Sequence, residues 1–274
     1  MTDTSGHETE RALSILPISQ IAAKGRWRTE EPHAEEAHLL IWFTKGQGRL
    51  MIEGKRTAFA SNSIVFLPSG TPHAFEARPG TFGTAVRITP HPTLELPTRP
   101  LLHRTRDLLL HSEFVSLFEA MQREASRPLD AASAKAGRMH AGILGVWLER
   151  QPNHLKTGEN QNASEKLAER YTKLLEERYA SGTNVGALAE ELGVTPTHLT
   201  RVCQNAAGAS AHQLLNQRIM YEARSLLTGT DRPVNRIAEG LGFSSAAYFT
   251  RAFLKTTGQT PSDFRRKSKP AARI

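Results

Sequence analysis

Arg201 and Arg251 are the residues of this chain best suited to reading another molecule. Each follows a threonine, and each Thr-Arg pair sits in a stretch that the other repeats. A guanidinium fits the O6 and N7 of guanine with two parallel hydrogen bonds, and glutamine can do the same for adenine. A small side chain such as threonine or alanine suits a thymine methyl. The residues expected to face base edges are Thr197, Thr200, Arg201, Gln204, Ala247, Thr250 and Arg251. Arg218, Lys255, Gln259 and Arg265, near helix ends or on the flank, are assigned to phosphates, which position a protein on the duplex without reading sequence. Any one basic residue, taken alone, is as often a solvated charge.

These side chains need a scaffold that holds a helix out into a groove. Val185, Leu188, Ala189, Leu192 and Gly193 recur as Val234, Ile237, Ala238, Leu241 and Gly242, 49 residues later. Leu199, Thr200, Arg201 and Gly208 recur as Phe249, Thr250, Arg251 and Gly258, 50 residues later. Each copy, 185–208 and 234–258, predicts a short helix with one apolar face, a glycine corner and a second helix. Asn184 and Thr195 are expected caps in the first copy, with Pro196 at the first helical position, and Ser244 or Ser245 in the second. One such elbow is an ordinary helical hairpin. A duplicated elbow that keeps its outward Thr-Arg pair points to paired helix-turn-helix units.

Residues 164–268 resemble the AraC/XylS family of transcription regulators. The resemblance is carried by ALAEELG, by IAEGLGF with YFTRAFLKTTGQTPSDFR, and by the ending Gly258-x-x-Pro261-x-x-Phe264-Arg265. It implies two recognition helices, joined by a helix over 211–228, set into successive major-groove segments of double-stranded DNA. RNA polymerase is the further partner implied. Charge is consistent: of the formal net +8, residues 164–274 contribute 16 Lys/Arg against 10 Asp/Glu, and residues 1–163 contribute 19 against 17.

The 274 residues suit two domains, and 39% hydrophobic content supports two cores. No apolar run approaches a membrane span, and the polar start MTDTSGHETE lacks a signal-peptide core. A lone cysteine, Cys203, fits a reducing compartment, so a cytoplasmic location is expected. Residues 1–11 are expected to be disordered, and 269–274 to form a tail. From 12 to 100, runs at 39–43, 48–52, 56–59, 63–67 and 84–88, with turns at Lys45-Gly46-Gln47-Gly48 and Glu53-Gly54-Lys55, predict an antiparallel β-barrel or jelly roll.

Pro68-Ser69-Gly70-Thr71-Pro72-His73 resembles the second motif of cupins, and Thr44 to Leu50 fits the end of the first. The expected fold is thus multidomain: an N-terminal cupin-like barrel with a helical hairpin, and a C-terminal all-α domain with two helix-turn-helix units. The cupin resemblance implies a divalent-metal site at His33, Glu35 and His73, with His38 as a spare. This chain departs from the motif, because Glu35 stands where a second histidine belongs and Leu39 replaces the glutamate. A small-molecule effector is the expected occupant of the barrel mouth, between Trp42, Phe66 and Phe75, with His33, Arg49 and His73 as polar anchors. The rival class is a cupin metalloenzyme or metal sensor with an accessory helical domain.

After Pro100 the period changes to helical, over 108–125 and 131–150, with Leu109, Phe114, Leu117, Phe118 and Met121 on one face of the first helix. Small residues from Ala134 to Gly145 allow close helix packing, and the family resemblance implies a homodimer through this 101–150 hairpin. Residues 151–163 read as a flexible polar linker. Residues 162–274 are expected to fold as their own unit.

Overall fold

The computed structural model describes residues 11–155 and 161–268. Apart from Arg11, the expected disordered start and the tail lie outside the described residues, as does the middle of the linker. The N-terminal half runs β1 (Leu13–Pro17), α1 (Ile18–Ala23), α2 (Trp27–Glu30), β2 (His38–Lys45), β3 (Gly48–Ile52), β4 (Lys55–Phe59), β5 (Ser63–Leu67), β6 (His73–Ala77), β7 (Phe82–Ile88) and β8 (Leu101–Arg104). These strands make two antiparallel sheets, β1-β7-β2-β5-β8 and β4-β3-β6. No ladder joins the two sheets among the described residues, so of the two forms expected, barrel or jelly roll, the domain is an open cupin-like jelly roll. Its last strand, β8, lies past residue 100 and pairs with β5.

The large sheet is apolar on both faces. Ile41, Phe43, Val65 and Leu67 point between the sheets, where Phe43 stacks on Phe59 at 3.6 Å. Leu40, Ile64, Phe66 and Val86 point the other way, onto α3 (Leu108–Ala125) and α4 (Ala131–Glu149). Asp107 and Asp130 cap these helices. Leu109 is exposed, contrary to expectation; it precedes Phe114 by five residues, roughly 140° around the helix at 100° per residue. On α4 the small residues do pack closely, for a Cβ on Gly137 would touch Ala12 and one on Gly145 would meet the Glu95 carbonyl. Met139, Ile143 and Val146 are left on its outer face.

The linker is docked where it begins. Gln151 is buried and donates to the Trp147 carbonyl, while Asn153 bridges Pro100 O and Leu102 N. Then follow α5 (Ala163–Arg178), α6 (Val185–Glu191), α7 (Pro196–Ala207), α8 (Ala211–Gly229), α9 (Val234–Gly240), α10 (Ala246–Thr257) and α11 (Pro261–Ser268). Asn162 caps α5 through a reciprocal box with Glu165, so the helix begins inside the 151–163 stretch read as linker. One core gathers α5, α6, α7 and the first turns of α8; a second gathers the rest of α8 with α9, α10 and Phe264 of α11.

Packing crosses between the halves. Met51 and Ala74 of the small sheet belong to the first helical core. The β3–β4 turn, with Glu53 and Gly54 both at positive φ, rests against the Ala168 carbonyl of α5. Lys55–Glu169 at 3.4 Å and Lys173–Glu53 at 3.0 Å flank that contact. The C-terminal half therefore does not own all of its core.

Candidate nucleic-acid interface and ligand cavity

The two elbows are built alike. Asn184, Thr195 and Ser245 accept hydrogen bonds from the backbone N–H groups of their helices. Gly193 and Gly242 turn the corners at φ near +73° and +75°, where a side chain is strained. Inward, Leu199, Val202 and Cys203 of α7 and Phe249 and Phe253 of α10 are buried. Burial pushes the Cys203 thiol up to about 12, so it is a core group and not a nucleophile.

Outward, Thr197, Arg201, Gln204, Ala247 and Arg251 are exposed, while Thr200 and Thr250 are half-buried. The Thr250 hydroxyl is engaged by the Ala246 carbonyl at 2.8 Å. Arg201 lies against His198, Nη2 to Nδ1 at 3.1 Å. Tyr248, the counterpart of His198 and more than half exposed, was missed by sequence reasoning; the offset of 50 between the copies is the signal that finds it.

Of the expected phosphate contacts, Lys255 is exposed in the last turn of α10. Arg218 is not available. Its side chain is 6% exposed, with Nε on Glu176 at 2.7 Å, Nη1 on Glu222 at 3.1 Å and the guanidinium 3.7 Å above the Tyr179 ring. Burial raises the Glu176 carboxyl, and Arg218 works against that rise. Arg265 is spent on the carbonyls of Leu227 and Arg232, tying α11 to the end of α8. Gln259 is half-buried, and its Oε1 lacks a partner. Arg218 and Arg265 brace the fold.

At one end of the jelly roll a cavity of about 440 Å³ opens between the sheets. Leu39, Ile41, Phe75 and Ala85 form its apolar wall; His33, Glu35, His73 and Arg87 its polar end; and Tyr221, Glu222 and Ser225 of α8 close it from the other half. Three expected lining residues are elsewhere. Trp42 packs edge-on against Phe114 and Phe118 of α3, at 5.3 and 5.0 Å. Phe66 shares that outer face, because the strand alternates and Leu67 takes the inner position. Arg49 is largely exposed and pairs with Glu76 at 4.0 Å.

His33, Glu35 and His73 do come together, each offering one donor atom, with all three atoms within 4.8 Å of one another. Both imidazoles are nearly buried, and their Nδ1 atoms lie 2.9 Å from the backbone carbonyls of Glu31 and Thr71. An Nδ1–H bonded to a carbonyl leaves the Nε2 lone pair free for a metal. Glu35 Oε1 stands 3.8 Å from His33 Nε2, and Oε2 is 2.9 Å from Arg87 Nε but out of line for a hydrogen bond. Burial acts to raise the Glu35 carboxyl, yet His33, Arg87 and His73 together hold it below the usual range. Two imidazoles and an ionised carboxylate fit a divalent transition metal. The spare, His38, is committed to the Ser69 amide instead.

Burial, helped by His33, pushes His73 down to about 4. An unfolded chain protonates this ring near 6.5. The stability it contributes is complete above that pH and is lost as pH falls through 4. Melting temperature of the chelator-treated chain is therefore expected to fall from pH 6.5 to 4. His73→Gln should flatten that descent, with His33, Glu35, Arg87 and Tyr221 left in place. Parallel curves for the two proteins would assign the descent to other groups.

A jelly roll enclosing a cavity, docked on two helix-turn-helix elbows, defines a ligand-binding domain joined to a DNA-binding one. Comparison with known proteins agrees: residues 17–141 match the AraC-like ligand binding domain, and residues 188–267 match a helix-turn-helix domain. The chain belongs to the AraC family of transcription regulators. It is 21% identical to the Msm operon regulatory protein of Streptococcus mutans serotype c, over 86% of each chain. It is 32% identical to the HTH-type transcriptional regulator YijO of Escherichia coli K12, over 38% of this chain and 37% of that one. The arabinose operon regulatory protein of the same organism is 28% identical over 31% of this chain and 29% of its own length. A crystal structure of ToxT from Vibrio cholerae O395 overlays with a TM-score of 0.41 at 15% identity, covering 94% of this chain and 98% of that one. Among the described residues no helix is long and apolar enough to cross a membrane.

Proposed function

We propose that this regulator reads DNA through Arg201 and Arg251 and is controlled by a small molecule held between its two halves. The observation that carries this reading is the pair of equivalent helices, each with an exposed arginine on the face opposite its core. Lys255 serves as a phosphate contact, and the chain acts in the cytoplasm, where RNA polymerase is its partner. The stripe of Met139, Ile143 and Val146 is the proposed homodimer face, since these exposed side chains recur at helical spacing on α4. Regulation rather than catalysis is proposed because the Msm operon regulatory protein, which matches along 86% of this chain, is named as a regulator.

The 440 Å³ cavity is the proposed effector site. His33, Glu35 and His73 would hold a divalent ion there, and such an ion supplies a Lewis-acid anchor for an oxygen donor. With their Nδ1 atoms held by backbone carbonyls, His33 and His73 offer Nε2 to it, and Phe75 and Ile41 form the apolar wall nearby.

A shift assay on DNA upstream of the chain's own gene, followed by selection from randomised duplexes, tests the reading. A defined sequence should be enriched, and binding should weaken steeply as salt rises, because each phosphate contact releases counterions. Equal affinity for every sequence would leave only backbone binding.

A further inference from the structure

The stretch from Glu31 to Glu35 supplies two of the three triad donors and also two of the jelly roll's ties to α8, through His33 and Glu31. The His33 imidazole lies flat on the Tyr221 ring, with centroids 3.9 Å apart and planes 10° from parallel. Its other neighbour is His73, at 4.7 Å between centroids. The Glu31 carboxylate is ion-paired with the buried Arg224, less than one turn along α8 from Tyr221. The carbonyl of the same Glu31 bonds His33 Nδ1. Behind the stack, Trp27 meets Tyr221 edge-on at 5.2 Å and Phe264 of α11 at 6.4 Å.

The triad as it stands is wider than an ion requires. Donors about 2.1 Å from a divalent transition metal lie roughly 3 Å from one another. Here His33 Nε2 and Glu35 Oε1 are 3.8 Å apart, and the set spreads to 4.8 Å. Loading must draw these donors together. Any shift of the His33 ring acts on its hydrogen bond to Glu31 and on its stack with Tyr221.

We infer that Tyr221 is the residue through which a divalent cation at His33, Glu35 and His73 changes DNA affinity. The inference rests on the metal reading proposed above. Its physical basis is the place of α8, which joins the two elbows and contributes to both of their cores. Glu222, beside Tyr221, holds Arg218, and Arg218 holds Glu176 of α5. A tilt of α8 at Tyr221 is carried to the first elbow through that chain of charges. It reaches the second elbow through the contact of Trp27 with Phe264. Tyr221 is a positioning residue, since it acts through His33.

The test uses the full chain, stripped with a chelator. Calorimetric titration with Zn²⁺, Mn²⁺ and Co²⁺ gives the metal affinity, and anisotropy on the selected duplex gives DNA affinity with and without metal. Metal should shift the DNA dissociation constant by about fivefold or more, and DNA should shift the metal constant by the same factor, since coupling is reciprocal. Tyr221→Phe keeps the stack and should keep that factor. Tyr221→Leu should still bind metal but bring the factor to near one. Should the leucine variant fail to fold by circular dichroism, Tyr221→Met, unbranched and apolar, is read in its place. A factor unchanged in the leucine or methionine variant overturns the inference, as does metal binding that leaves wild-type DNA affinity unmoved. If none of the ions binds, the metal reading falls and this inference with it, while DNA binding by the stripped chain stands apart.

Discussion

Arg218→Ala is expected to cost the DNA-binding half about 3–5 kcal/mol of stability, the range for breaking a buried ion pair from one side. Removing the guanidinium leaves the Glu176 carboxylate uncompensated at 14% exposure and takes a cation from the face of Tyr179. It also frees Glu222 at the cavity wall. Urea denaturation should show the loss directly. DNA binding should then decline with the folded fraction, at every sequence and with an unaltered salt slope. Pairing the change with Glu176→Gln should restore part of the stability, because the buried charge goes too. A fully stable Arg218→Ala whose salt slope is shallower by about one would return this residue to the phosphates.

The second large effect belongs to the arginines. Arg201→Ala and Arg251→Ala should each cost about 1–3 kcal/mol in specific binding, and roughly 2–6 together, because distant sites add. Each should relax selection at its own base position. The two positions should lie about one duplex turn apart, roughly 34 Å. The 19 residues of α8 span about 28 Å at 1.5 Å per residue, a compatible reach. Lys255→Ala should weaken all sequences alike. If Arg251→Ala leaves the selected sequence intact, the second elbow holds only the backbone.

Both elbows were legible because their determinants are local. Caps, corner glycines and apolar spacing all sit within 25 residues, and the duplication lets each copy check the other. The cavity was legible only in part. His33 and His73 were found, but Leu39-Leu40-Ile41-Trp42-Phe43 is apolar at every position, so alternation could not say which side chains face inward. A strand covered on both faces carries no such signal. Trp42 and Phe66 were therefore assigned to the wrong side. Arg218 was assigned to a phosphate because the partner that buries it, Glu176, lies 42 residues away and gives no local sign. Tyr221, Arg224 and Thr228, which accepts a hydrogen bond from Arg28 at 3.1 Å, form one stripe on α8, yet nothing nearby in sequence announces the jelly roll they meet. Such contacts exist only once the halves dock.

The corner of the second elbow is one residue longer than that of the first: Gly242, Phe243, Ser244 and Ser245 against Gly193, Val194 and Thr195. The outward faces differ as well, with His198 and Gln204 in one copy and Tyr248 and Leu254 in the other. Two copies joined head to tail in one chain, and no longer identical, have no dyad to impose on the duplex. A single chain would therefore recognise a site with a left and a right end. Reversing that site on the chromosome would turn the whole protein around, and with it the face it offers to whatever is bound next door.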